Sequence, residues 1–191
     1  PKGAINPIVE VNYEDNRNPI DVGRYAKAVV SKLQEKYGFT KMNMVGHSLG
    51  NMSILYYLLE HAQDENLPQL QKQVNIANFV AGLEAMGLSS DVKVDKTTGQ
   101  PNQITQTFQR LLPLREIFPQ NQIDVLNIYG DYKNGSDGSV LNASSRSLKY
   151  LVADNAKSYQ EKKITGKLAQ HSQLHENPEV DKLLIQFLWG K

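Results

Sequence analysis

Apolar residues recur along the chain with two different periods. Tyr25, Ala26, Val29, Val30 and Leu33 fall at spacings of three and four, as on one face of an amphipathic helix, and Gly38 ends the pattern. Asp21 stands where it can cap that helix. Phe39 to Val45 reads as a short, mostly apolar strand, and Met52, Leu55, Tyr56 and Leu59 line one side of a second helix that starts directly behind it. Upstream, Ile8, Val9, Val11 and Tyr13 are β formers set between Pro7 and a polar turn over Glu14 to Asn18, which predicts a strand over Ile8 to Tyr13. Val74 to Gly82 and Ile123 to Tyr129 are apolar runs of strand length, each ended by Gly or Asp and suited to a buried parallel sheet. Tyr159 to Ile164 predicts the last strand. Val180, Leu183, Leu184, Phe187 and Leu188 predict a terminal helix opening near Asn177 and Pro178.

The alternation of strand and helix predicts an α/β fold with a mostly parallel sheet and helices on both faces. Residues 84–122 interrupt it with a turn-rich stretch, Ser89 to Asn102, and a helical pattern through Ile104, Phe108, Leu111 and Leu112 broken at Pro113. This reads as a helical insertion or cap before a later strand. No repeat and no Pro- or Ser-rich linker divides the chain, so a single domain over residues 1–191 is expected.

Composition removes whole classes of chemistry. The 21 basic and 20 acidic residues are interspersed, with a net charge of +1, so no nucleic-acid face is expected. The densest basic stretch, Lys157 to Lys167, also holds Glu161 and reads as a solvated strand edge. With no cysteine there is no disulfide, thiolate metal site or Cys nucleophile. No metal site and no cofactor is expected, and no apolar run approaches the roughly 20 residues of a membrane span.

Gly46, His47, Ser48, Leu49 and Gly50 match GxSxG, in which a serine occupies a strained strand-to-helix turn. The pattern alone arises by chance in about one chain of this length in twenty. Here its surroundings carry the reading, because an apolar strand runs in at Met42 to Val45 and an amphipathic helix follows at once. A serine hydroxyl needs a base to remove its proton, and only four histidines exist. His47 lies inside the elbow with its side chain expected to point away from Ser48, and His61 ends the following helix, so neither is placed to serve. His171 and His175 lie in the loop between the last strand and the terminal helix, late enough to complete the order Ser, acid, His. His171 is favoured, since His171, Leu174 and Val180 are spaced as in hydrolases whose histidine loop leads into the terminal helix; His175 is second choice. For the acid, Asp131 and Asp137 both follow Ile123 to Tyr129. Ser136 to Val140 spells SDGSV, a pattern that supplies this acid in lipase-like enzymes, so Asp137 is favoured and Asp131 is second choice. The Leu49 N–H is the expected first oxyanion donor. No His-Gly pair precedes residue 46, so the second donor is expected upstream of Pro1, on N-terminal strands of the fold that this chain lacks.

Gly46 to Asn51 (GHSLGN), Val125 to Asp131 (VLNIYGD), Ser136 to Val140 and His171 to Val180 (HSQLHENPEV) together resemble the cell-surface α/β-hydrolases of Gram-positive bacteria, domain-of-unknown-function family 915, over Asn6 to Trp189. The resemblance implies an α/β-hydrolase fold, a Ser48, Asp137 and His171 triad, an extracellular or surface-associated location, and an upstream segment bearing a His-Gly oxyanion loop. The expected activity is hydrolysis of acyl esters, carboxylesterase- or lipase-like, with a small-molecule or lipid-like ester as substrate. The alternatives are a binding module on the same fold and an acyltransferase using the same triad.

Overall fold

The structure, a computed structural model, describes residues 7–13 and 17–190 of the 191. Helix α1 spans Pro19–Tyr37. Its N-cap is Asn18, whose side-chain oxygen accepts from the Ile20 N–H at 3.0 Å, and Pro19 fills the first helical position, where a missing N–H costs nothing. Asp21 therefore sits three positions past the cap, in the first turn, at the positive end of the helix dipole. Strand β1 (Lys41–His47) leads through Ser48 and Leu49 into helix α2 (Gly50–His61). Strand β2 covers Gln69–Ile76, β3 covers Asp124–Asp131 and β4 covers Ser158–Thr165, and the four strands pair side by side in chain order, all parallel.

Between β2 and β3, the region expected as an insertion forms a 3-10 turn at Glu84–Met86 and short helices α3 (Gln106–Leu111) and α4 (Leu114–Ile117). The turn-rich stretch within it closes on itself through a bridge between Val94 and Pro101. Helices α5 (Asn142–Arg146) and α6 (Leu148–Val152) precede β4, and α7 (Pro178–Trp189) closes the described fold with Asn177 as N-cap. One apolar core joins α1, α2, the 84–122 region, α5 and α6 on one face of the sheet. A second, on the other face, joins Val74, Ile76, Leu126, Ile128 and Ile164 to Leu183, Leu184, Phe187 and Leu188 of α7. Layers on both faces of a parallel sheet are what hydrophobic runs such as Val125 to Tyr129 require, since neither side can face water.

Two expectations are corrected. Ile8 to Tyr13 forms no strand: it is an extended segment with Ile8 76% and Val9 48% exposed, because β formers make a strand only where a neighbour completes the ladder, and no described strand pairs with it. Glu14, Asp15 and Asn16 of the turn expected behind it lie outside the described residues. The apolar run Val74 to Gly82 is not one strand either. The strand starts earlier, at Gln69, and ends at Ile76, after which Ala77, with φ 52°, breaks the ladder into a buried loop. β4 does lie at a sheet edge with Gln160, Lys162 and Lys163 exposed, as the charged stretch implied.

Candidate active site

All four strands run in the same direction, so their carboxyl ends meet at one edge of the sheet. β1 delivers Ser48 there. Its φ of 53° is a left-handed conformation costing roughly 1–2 kcal/mol for a residue with a Cβ. Several hydrogen bonds hold the turn against that cost. The Ser48 N–H donates to the Ile76 carbonyl at 3.0 Å, and the side-chain amide of buried Asn51 donates to the carbonyls of both Ser48 and Ile76 at 2.8 Å. The strand and helix also touch at Gly46, where a Cβ would lie 2.9 Å from the Asn51 nitrogen.

The expected acid and base come from two later loops. Asp137, 2% exposed, follows β3, and its Oδ1 accepts from the Ser139 and Val140 N–H groups at 2.9 and 2.7 Å. Its Oδ2 lies 2.8 Å from His171 Nδ1, and His171 Nε2 lies 2.8 Å from Ser48 Oγ. A carboxylate only accepts, so Nδ1 carries the hydrogen and Nε2 presents its lone pair to the serine hydroxyl. The His171 N–H also donates to the Asp137 carbonyl at 2.9 Å. The base loop is pressed onto β3 where it passes Gly130: a Cβ there would sit 2.1 Å from the Ala169 carbonyl oxygen. Ser48, Asp137 and His171 thus converge in one hydrogen-bonded chain.

The second-choice residues sit elsewhere. Asp131 ends β3, and its Oδ1 accepts from the Gly135 N–H at 3.2 Å, closing the turn that leads to Asp137. His175 is half exposed, 3.4 Å from Glu176, and meets neither Ser48 nor Asp137; its ring packs against that of His47. His61 packs against Tyr57 at the far end of α2. The Leu49 N–H opens α2 and, among the described residues, meets no hydrogen-bond partner. Among the described residues no group of three or more His, Asp or Glu side chains could hold a metal ion.

His47 has contacts that the sequence reading does not supply. It makes no described bond to Ser48, but its ring belongs to the site: Nε2 lies 2.9 Å from the His171 carbonyl oxygen, and the ring packs against those of His171 and His175 at 5.3 and 5.0 Å. Burial, only partly opposed by the bond to that carbonyl, holds its pKa below the ordinary 6.5, with the His171 and His175 imidazoles pushing the same way. Asn51 was likewise unforeseen as a partner of the elbow. Its position three residues beyond Ser48, on the helix face turned to the sheet, is the only signal for it in the sequence.

A parallel sheet with helices on both faces and a serine turn at the head of α2, facing an Asp and a His from later loops, defines the α/β hydrolases. The chain belongs to the family of α/β hydrolases of unknown function DUF915, whose model matches residues 1–191. Among solved structures, a gene product of Listeria innocua is 29% identical with a TM-score of 0.80, over 91% of this chain and 68% of that one. A candidate cell-surface hydrolase of Lactobacillus plantarum is 23% identical with a TM-score of 0.71, over 94% of this chain and 66% of its own. The carboxylesterase CesB of Bacillus subtilis shares the fold at 15% identity and a TM-score of 0.52, over 95% and 70%. The chain thus spans about two thirds of the length of these proteins. No curated protein matches it.

Proposed function

We propose that the chain is a serine hydrolase of acyl esters acting through Ser48, His171 and Asp137, on a small-molecule or lipid-like ester, at the cell surface or outside the cell. The observation that carries this is the pair of 2.8 Å bonds linking Ser48 Oγ to His171 and His171 to Asp137. In the reaction Ser48 Oγ bonds to the ester carbonyl carbon as its proton passes to His171 Nε2. Asp137 holds the ring in the tautomer with Nδ1 protonated and stabilises the imidazolium. The oxyanion takes the Leu49 N–H at the positive end of the α2 dipole; a second donor would come from a loop after an earlier strand. Collapse expels the alcohol, which takes the proton from Nε2. Water then attacks the acyl-serine with His171 again as base, releasing the acid and restoring Ser48. An alcohol or amine in place of that water would give acyl transfer by the same steps.

Labelling with a fluorophosphonate tests the reading. Modification should occur at Ser48, be absent in S48A, and slow by at least about a hundredfold in H171Q and D137N. Intact, folded protein that takes no label and hydrolyses no p-nitrophenyl ester would sink it, and would favour a binding module on the same fold.

A further inference from the structure

The chemistry above leaves the His47 side chain without a task, yet its geometry is specific. A carbonyl oxygen only accepts, so the 2.9 Å contact to the His171 carbonyl means that His47 Nε2 carries a hydrogen and donates it. With the ring held neutral by burial near pH 7, the Nε2–H form is the tautomer this bond selects.

The bond completes a set. The acid loop already grips His171 twice, through the His171 N–H to the Asp137 carbonyl and through Nδ1 to the carboxylate. Neither contact refers the base to the nucleophile. The base loop runs from β4 to α7 through two 3-10 turns, Lys167–Ala169 and Leu174–Glu176, and no strand ladder fixes its distance from β1. His47 is the last residue of β1 and one peptide bond from Ser48. Its bond therefore ties the His171 backbone to the strand that carries the serine.

We propose that His47 is a positioning residue: by donating to the His171 carbonyl it sets the separation of His171 Nε2 from Ser48 Oγ, across which the proton moves. This rests on the reading of Ser48 and His171 given above. Small errors in such a distance lower rate far more than they lower ground-state binding.

The test compares H47Q, whose side-chain amide keeps an N–H donor at similar reach, with H47F, which keeps a ring and loses the donor. For a p-nitrophenyl ester, H47F should lower kcat by about tenfold or more with KM changed less than about twofold, while H47Q should stay within about threefold of the parent kcat. Thermal midpoints should be similar for all three, and H47L carries the same comparison if H47F does not fold. NMR gives a readout independent of turnover. The nitrogen resonance of His171 Nε2, the atom that faces Ser48, identified by its loss in H171Q, should keep its parent shift in H47Q and move or broaden in H47F. An unchanged kcat and resonance in H47F, or a loss in H47Q equal to that in H47F, would overturn the proposal. Full activity in S48A would instead overturn the reading of Ser48, and the resonance would still decide the role of His47.

Discussion

The two faces of one sheet are built from different materials. Toward α7 the strands present Val74, Ile76, Leu126, Ile128 and Ile164, all aliphatic and at most 3% exposed. On the face toward α2 and α5, alternate positions hold Gln73, Asn75 and Asn127, each fully buried. Amide groups join there in chains: Gln73 donates to Asn75 at 2.8 Å and Asn75 to Asn51 at 3.1 Å, while Asn127 pairs with Asn78 at 2.8 Å and Tyr159 at 3.0 Å. Aliphatic burial is strong but non-directional, so it leaves the seat of a helix loosely specified. A buried amide is costly unless bonded in one geometry, and the first chain ends on the carbonyls of Ser48 and Ile76. Both faces supply burial; the amide chain in addition fixes the position of α2 and hence of the serine.

Substitutions on the two faces should separate those tasks. The largest stability loss is expected on the aliphatic face: I128A should cost about 2–5 kcal/mol in urea unfolding, yet leave the specific ester hydrolysis of the folded fraction close to the parent. N51L should cost less, about 1–3 kcal/mol, because it strands the Asn75 amide, but it should lower kcat severalfold at temperatures where the protein is fully folded. Equal activity losses in the two variants would break the comparison. The polar side should also respond to pH through His47, whose pKa is lowered on folding. The unfolded chain then binds the proton more readily, so stability should be complete above the ordinary value of 6.5 and fall as pH drops through it toward the folded value. Urea midpoints at pH 7.5 and 5.5 should differ less in H47F than in the parent. The smallest effect belongs to Q73M, within about 1 kcal/mol, since losing the bond to Asn75 is offset by removing the unpartnered, buried Gln73 Oε1.

The same contrast explains what could be read from the residues. The aliphatic face follows simple periodicity, so α7 and the β3 run are visible in the sequence. The amide face hides itself: Gln71, Lys72 and Gln73 look like a loop, and β2 is therefore placed too late by pattern alone. The elbow is legible because strand, serine and helix are contiguous. Asp137 and His171, 34 residues apart, follow from chain order and local spelling. His47 does not, because its partner lies 124 residues away and nothing near it announces a donor to a backbone carbonyl. Ile8 to Tyr13 is misjudged for the opposite reason, since strand propensity says nothing about whether a partner is present.

Gly130 has a practical consequence for anyone wishing to redesign the site. With the Ala169 carbonyl 2.1 Å from where a Cβ would stand, even alanine at this position acts as a wedge under the base loop. A randomised library aimed at altered specificity that includes position 130 would fill with inactive members for mechanical reasons alone, whatever the chemistry of the introduced side chain. Diversity is better placed on exposed loop residues such as Leu168, where the chain can change its surface without changing its spacing.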